Sequence, residues 1–168
     1  MTRWLRLLKH RFLDQSDSRR ALGKGALERL EARVRDSERG HSGEIRLCIE
    51  AGLPLSYLWR NATARERAVA MFGKLRVWDT EHNNGVLIYL LLAEHAIEIV
   101  ADRGFAHRVP KGHWQKLVAD MSSAFKARRF EAGLNETIGA VHALLVQHFP
   151  LPEGADNRNE LPDDPVAG

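Results

Sequence analysis

Residues 78–105 read WDTEHNNGVLIYLLLAEHAIEIVADRGF, and this stretch decides the fold of the 168-residue chain. The run at residues 86–92 is continuously apolar, which is typical of a strand that is buried on both faces. A short polar break at Glu94 and His95 leads into a second β-like run at residues 97–100. Two such runs joined by a short break predict an antiparallel hairpin at the centre of a sheet.

Polar side chains lie at one end of this predicted hairpin. In a hairpin the start of one strand lies beside the end of its partner, so the two loops at that end are expected to converge. Oxygen ligands gathered in this way suit Ca²⁺ or Mg²⁺, and Arg103 beside them is a candidate for binding an anion. The alternative is turn chemistry alone, because asparagine readily adopts a positive φ. The candidate metal or ligand residues are Asp79, His82, Asn83, Asn84 and Asp102.

Length and composition favour one globular domain. The hydrophobic fraction of 44% and the charged fraction of 28% are ordinary for a soluble protein. The net charge of +3 is mild, so no nucleic-acid partner is expected. A single cysteine, Cys48, excludes an internal disulfide and fits a small buried residue better than a nucleophile. No apolar run approaches the roughly 20 residues that span a bilayer, and no signal peptide is recognised. A cytoplasmic location is therefore expected.

The two ends of the chain differ from its centre. Residues 1–15 contain an amphipathic segment with Trp4, Leu8 and Phe12 on one side. One interpretation is a peripheral contact with the inner face of a membrane. The other is a helix that packs on the domain or on a second copy. Residues 16–149 are predicted to form the domain, and residues 150–168 a flexible acidic, proline-containing tail.

The remaining elements surround the hairpin. Ser16, Asp17 and Ser18 offer N-caps for a helix that runs to about Glu38. Alternation in residues 44–50 predicts a strand with one apolar face. Thr63 begins a further helix, whose arginines are expected on its solvated side. The long crossover predicts that the first two strands are parallel neighbours. Two helical apolar stripes follow Pro110, the first comprising Trp114, Leu117, Val118, Met121 and Phe125.

Several catalytic signatures are absent from the sequence. It has no G-x-S-x-G elbow, no H-E-x-x-H motif, no Walker loop and no dinucleotide fingerprint after a strand. The eight histidines form no pair at helical ligand spacing, which argues against a structural zinc site. The loop cluster is therefore the place to look for chemistry.

Three motifs resemble the TPM domain family. Residues 83–92, NNGVLIYLLL, resemble the family's D-N-G-V-L-L-L-V core. Ile97-Glu98-Ile99 and Gly104 resemble its R-I-E-V-G-Y-G segment. Residues 128–134, RRFEAGL, resemble its closing F-R-x-G-x-Y-x-x-G-L pattern. The resemblance spans about residues 43–145, nearly all of the predicted domain.

The resemblance implies an α/β/α sandwich, Rossmann-like, with a small mixed central sheet. In that family some members are assigned divalent-metal binding and acid-phosphatase activity, and others assist the assembly or repair of membrane complexes. The leading expectation is a binding module of undetermined cellular role whose loop cluster binds a metal or a protein partner. The alternative is a metal-dependent acid-phosphatase-like hydrolase in which a cation activates water and Arg103 holds phosphate.

The sequence departs from the family pattern in the loops. Asn83 stands where the family usually has an aspartate, which removes a charge from the implied metal cluster. Asp102 and Arg103 replace a glycine and a tyrosine before Gly104. We hypothesise that Asp102 restores the lost negative charge from the second loop.

Overall fold

A four-stranded mixed sheet lies between two layers of helices in the computed structural model, which describes residues 6, 10, 22–127, 129–152 and 159–167. The strand order is β3-β2-β1-β4. Within the described residues, no helix is long and apolar enough to cross a membrane. The strands are β1 (Ile45–Glu50), β2 (Val86–Leu91), β3 (Ala96–Ala101) and β4 (Val166–Ala167). The helices are α1 (Ala26–Glu38), α2 (Leu55–Trp59), α3 (Ala64–Lys74), α4 (Lys111–Lys126) and α5 (Phe130–His148).

The predicted hairpin is formed by β2 and β3. The two strands pair antiparallel, with Ile88 opposite Ile99. A 3-10 turn at Leu92–Glu94 joins them and ends at His95, whose φ is 49°. Strand β1 lies parallel to β2, with Leu47 opposite Ile88. The predicted parallel neighbours and the antiparallel return are both confirmed.

Each face of the sheet has its own hydrophobic core. One face carries the side chains of Leu47, Ile88 and Ile99, and helices α1, α4 and α5 cover it. The other face carries Leu87 and Tyr89 and is covered by α2 and α3. This arrangement confirms the expected α/β sandwich. All six residues of β2 are buried, as the continuous apolar run predicts.

The alternating strand β1 is buried on both faces, although its pattern suggested only one apolar face. On its polar side, the Glu50 carboxylate accepts hydrogen bonds from Tyr89 Oη at 2.7 Å and from Arg67 Nε at 2.8 Å. Arg67 had been expected on the solvated side of its helix, but a buried carboxylate draws it inward. Burial raises the pKa of the neighbouring Cys48 thiol to about 12, as expected for an inert core cysteine.

The helix caps agree with the sequence at α3 and differ at α1. Thr63 and Glu66 form the predicted capping box, with Thr63 Oγ1 accepting from Glu66 N at 3.2 Å. Helix α1 begins at Ala26, after Gly25 with a φ of 72° and without a side-chain cap. The caps predicted at residues 16–18 lie outside the described residues.

The C-terminal segment 159–167 packs against the sheet, whereas composition predicted a flexible tail. Strand β4 pairs in parallel with β1, and Leu161 is buried in the core beneath α3. Arg46 donates to the carbonyl oxygens of Pro162 and Asp164. Glu44 Oε1 accepts from Glu160 N at 3.0 Å. A segment poor in apolar residues is therefore held mainly by hydrogen bonds to β1 and its flanks.

Buried carboxyl groups lie where this segment crosses the domain. Burial raises the pKa of Glu38 to about 9 and that of Glu44 to about 7, and the nearby Asp163 raises both pKa values further. Glu38 Oε1 accepts from Ile45 N at 3.0 Å. The carboxyl of Glu38 is accordingly protonated at neutral pH in the native state.

Two residues of the N-terminal segment contact the domain just after the ends of β1 and β2. Arg6 Nε lies 2.6 Å from Glu94 Oε1, and Arg6 Nη2 donates to the Ala62 carbonyl at 2.6 Å. The buried His10 accepts at Nδ1 from Leu53 N at 2.9 Å. The residues predicted to touch a membrane, Trp4, Leu8 and Phe12, lie outside the described residues.

Candidate functional site

The two loops at the predicted end of the hairpin meet. Asp102 N donates to the Gly85 carbonyl at 2.9 Å, and Gly104 N donates to the Asn83 carbonyl at 2.9 Å. A Cβ atom on Gly104 would lie 2.5 Å from that Asn83 oxygen, so only glycine permits the approach. A Cβ atom on Gly85 would lie 2.0 Å from the Val77 carbonyl oxygen. Backbone contacts thus bring the loops together independently of their side chains.

Asn83 and Arg103 form the side-chain contact between the loops. Asn83 adopts a φ of 52°, which asparagine tolerates better than most residues. Its Oδ1 accepts from Arg103 Nε at 2.8 Å. Within the described chain, Arg103 takes part in no ion pair and its two Nη nitrogens donate no hydrogen bond. The Asn83 amide therefore orients the Arg103 guanidinium and leaves its two Nη nitrogens available as hydrogen-bond donors.

Asn84 and Asp102 mainly stabilise the loops. Asn84 is fully buried, and it donates from N to Thr80 Oγ1 at 3.1 Å and from Nδ2 to Ser42 Oγ at 3.2 Å. Asp102 Oδ1 accepts from Arg103 N at 2.7 Å and so caps the turn Arg103–Phe105. Among the described atoms, Asn84 Oδ1 and Asp102 Oδ2 are buried without a hydrogen-bond partner.

The other two predicted ligands point elsewhere. Asp79 forms an ion pair with Arg76, with Oδ2 and Nη2 separated by 2.5 Å. His82 is exposed, and its carbonyl oxygen rather than its imidazole faces Gly104. The structure thus brings Asn83, Asp102 and Arg103 together, and it directs the carboxylate of Asp79 to a local arginine.

The described loop donors offer fewer carboxylate ligands than a calcium site usually has. Calcium sites use six to eight oxygen ligands and usually several carboxylates. Here Asp79 is neutralised by Arg76, and Asn83 Oδ1 is bonded to the Arg103 guanidinium, which repels a cation. Across the described ranges, no three His, Cys, Asp or Glu side chains are placed to hold a metal. The hypothesis that Asp102 compensates for Asn83 has no support from this donor set, because Asp102 is left as the one available carboxylate in the cluster.

A cavity of about 630 Å³ opens beside the loop cluster, at the outer edge of β3. Strand β3 is the edge strand of the sheet. Arg65 reaches round this edge from α3, donating from Nη1 to the Ile99 carbonyl at 2.6 Å and lying 3.6 Å from Glu98 Oε2. The cavity has an apolar lining formed by Ile99, Phe105, Val109, Trp114 and Val118, and a polar lining that includes Arg65, Glu98, Asp102 and Arg103.

Sequence reasoning missed the cavity. Trp114 and Val118 belong to the apolar stripe of α4, and the spacing of that stripe alone predicts a core face. Trp114 packs edge-on against Phe105, with ring centroids 5.4 Å apart, and stays partly exposed. An amphipathic stripe has the same spacing whether all of it meets the sheet or one end extends past the edge strand. Only the strand order separates these two cases.

Comparison with known proteins gives the family. A model of the TPM domain matches residues 16–144, which include both loops and the whole cavity lining. The chain belongs to the TPM domain family. No curated protein matches this TPM domain significantly.

Solved structures resemble this TPM domain along most of its length. The NMR structure of the BA42 protein from the psychrophilic bacterium Bizionia argentinensis is 26% identical to it, with a TM-score of 0.74, covering 87% of this chain and 94% of BA42. The N-terminal domain of a P. gingivalis protein is 19% identical, with a TM-score of 0.62, covering 83% of this chain and 94% of that domain. At 19% identity, this second likeness concerns the fold alone.

Proposed function

We propose that this TPM domain is a ligand-binding module whose ligand occupies the cavity between β3 and α4. One observation carries the proposal: the cavity combines an oriented, unpaired guanidinium with an aromatic and aliphatic lining. Ligand sites in proteins are typically concave, largely apolar clefts of about 300–1,000 Å³ with a few placed polar groups. The volume and the lining both meet that description.

The cavity can be tested with a small neutral probe. We expect indole, titrated into the ¹⁵N-labelled full chain, to shift the backbone amide resonances of Phe105 and Val118. An Ala106→Trp variant fills the cavity from its lining and is expected to abolish these shifts. Ala119→Trp is the matched control, because Ala119 is exposed on α4 outside the cavity lining. Shifts that persist in Ala106→Trp, or an absence of shifts in the wild type, would contradict the proposal.

A metal-dependent phosphatase is supported less well. That reaction requires a bound cation to activate water, and one of the two candidate carboxylates, Asp79, is already paired with Arg76. Hydrolysis of a generic phosphomonoester, assayed with and without Mg²⁺ or Ca²⁺ on the wild type and on Asp102→Ala, distinguishes the two functions. Metal-stimulated turnover that is lost in Asp102→Ala would favour the hydrolase over the binding module.

Peripheral membrane contact through the N-terminal segment stays a prediction, and with it a role in the assembly or maintenance of membrane complexes. Sedimentation with anionic liposomes tests it, comparing the full chain with Trp4→Ser/Leu8→Ser/Phe12→Ser. These substitutions leave Arg6 and His10, which contact the domain, unchanged. Equal sedimentation of the two proteins would exclude the contact.

A further inference from the structure

The charge of Arg103 sets the cavity's ligand chemistry. Arg103 lines the cavity, and its guanidinium is held through Nε by the neutral amide of Asn83 at 2.8 Å. Asp102 binds the backbone N of Arg103 instead of its guanidinium. Both Nη nitrogens therefore remain available, and a guanidinium fork matches the two oxygens of a carboxylate.

The other charged groups of the lining limit how much negative charge a ligand can carry. Arg65 is already engaged by the Ile99 carbonyl at 2.6 Å and by Glu98 at 3.6 Å. Burial raises the pKa of Glu98, although Arg65 opposes this shift. Glu98 and Asp102 both line the cavity and oppose a dianion such as a phosphate monoester. One spare guanidinium beside two acidic groups suits a single negative charge.

The apolar part of the cavity lies next to that charge. Phe105 is 2% exposed and belongs to the turn that begins at Arg103. Its ring meets Trp114 edge-on, and Val118 lies one helical turn further along α4. A ligand whose acidic group reaches Arg103 would therefore place its adjoining atoms against these two rings.

We infer that the cavity binds a monocarboxylate with an apolar body, its carboxylate on Arg103 and its body against Phe105 and Trp114. This inference rests on the proposed function and specifies the ligand class for the same cavity. The carboxylate belongs either to a small free acid or to the C-terminal residue of a peptide. In the peptide case the preceding residues extend along β3, whose outer edge is unpaired in the described sheet.

The test compares matched acids and amides by NMR titration of the full chain. Phenylacetate is compared with phenylacetamide, and acetyl-Ala-Phe with its C-terminal amide. We expect each carboxylate to bind at least about tenfold more tightly than its amide, as a charge-assisted bidentate contact allows. A peptide C-terminus is identified if the peptide acid binds at least about tenfold more tightly than phenylacetate and also shifts the backbone amide resonances of Ile97 and Ile99. Any other pattern of acid binding identifies a free acid as the ligand.

Two substitutions separate charge from packing. Arg103→Gln is expected to remove the preference for the acid, whereas Arg39→Gln, at the exposed C-terminal end of α1, should keep it. Trp114→Ala should weaken acid and amide alike, and Trp78→Ala, exposed outside the cavity, should weaken neither. Equal binding of acid and amide to the wild type, or a preference that survives Arg103→Gln, overturns the inference.

The controls also distinguish this inference from the proposed function. If indole and the amides shift cavity resonances without any preference for acids, the ligand site stands and the carboxylate inference fails. If phenyl phosphate binds more tightly than phenylacetate, the inference also fails, because the cavity then accepts a dianion. If no probe shifts these resonances, both proposals fail.

Discussion

Replacing Arg67 by methionine tests the buried polar network on the second face of the sheet. Arg67 binds both oxygens of Glu50, and Tyr89 Oη donates to Glu50 Oε2 at 2.7 Å. The side chains of Arg67 and Glu50 are only 13% and 10% exposed. Methionine retains most of the aliphatic length of arginine but removes its charge and both hydrogen bonds. The Glu50 carboxylate would then keep one uncharged partner, the tyrosine hydroxyl.

The expected loss of stability follows from that stranded carboxylate. Removing one member of a buried ion pair costs about 3–5 kcal/mol, because the remaining charge is neither hydrated nor paired. Residual exposure and the Tyr89 hydrogen bond place this case at the lower end, at about 3 kcal/mol. For a domain of this size that loss corresponds to a fall in Tm of about 6–12 °C. It is a large part of a total stability of about 5–15 kcal/mol.

Urea denaturation followed by circular dichroism at pH 7 measures the change, with Arg60→Met as the surface control. Arg60 pairs with Glu66 at an exposed site, so its replacement should cost no more than about 0.5 kcal/mol. The double variant Glu50→Gln/Arg67→Met removes the buried charge as well, and it should recover about half of the loss or more. A single-variant cost below about 1 kcal/mol, or a double variant less stable than the single one, would refute the stranded-charge argument.

Three further predictions concern protonation, backbone packing and metal binding. Burial raises the pKa of Glu38 to about 9 from an ordinary 4.5, so the native state loses stability as pH rises between these values. The Glu38→Gln variant should lose less stability between pH 5 and 9, by about 5 kcal/mol. Parallel stability curves in urea would contradict this. Gly104→Ala should lower the free energy of unfolding by about 2 kcal/mol or more, because the new Cβ would clash with the Asn83 carbonyl oxygen. The control Gly112→Ala, which has open space around it on α4, should not lower the free energy of unfolding in the same urea measurement. Equal effects would exclude the close approach. Finally, millimolar Ca²⁺ should raise the Tm of Asn83→Asp/Arg103→Gln and leave the wild-type Tm unchanged, since only a cation-binding native state is stabilised by mass action. A rise in the Tm of the wild type with Ca²⁺ would show that the loop oxygens of the native chain bind a cation.

Local pattern predicted the centre of the fold well. The apolar run at residues 86–92 has no polar side, which is typical of a strand inside a sheet, and β2 is confirmed as buried throughout. Strand β1 was harder, because Arg46 and Glu50 look like a solvated face in an alternating strand. Their partners, the carbonyls of Pro162 and Asp164 and the side chain of Arg67, lie far along the chain. Spacing within one strand contains no information about such partners.

The packing of segment 159–167 against the sheet also depends on partners that lie elsewhere in the chain. Composition predicts disorder when a segment has too little apolar surface to offset its loss of conformational entropy. Here Leu161 is the main buried apolar contribution, and the rest comes from pairing with β1 and from Arg46. Those hydrogen-bonding groups belong to β1, so the composition of the segment itself could not reveal them.

The sequence predicts where the two loops of the candidate site lie better than it predicts which side chains face each other there. Hairpin geometry alone placed the two loops together, and Gly85 and Gly104 show why: both contacts are between backbone atoms. The direction of each loop side chain depends on which nearby group binds it, and here two arginines, Arg76 and Arg103, bind the candidate ligands. Asp79 forms an ion pair with Arg76, and Asn83 accepts a hydrogen bond from Arg103.

This separation of backbone from side chains bears on how one TPM scaffold can serve different ligands. The close approach of the loops requires glycine at position 104, and the packing of the first loop on Val77 requires glycine at position 85. Neither contact places a demand on the charge at positions 83 and 103. An aspartate at position 83 without a neighbouring guanidinium would leave a negative site at the loop junction, open to a cation. Asparagine with Arg103 instead leaves an oriented positive group at the mouth of an apolar cavity. We therefore expect exchange at these two positions to reverse the charge of the preferred ligand, while the hairpin and its loops keep their geometry.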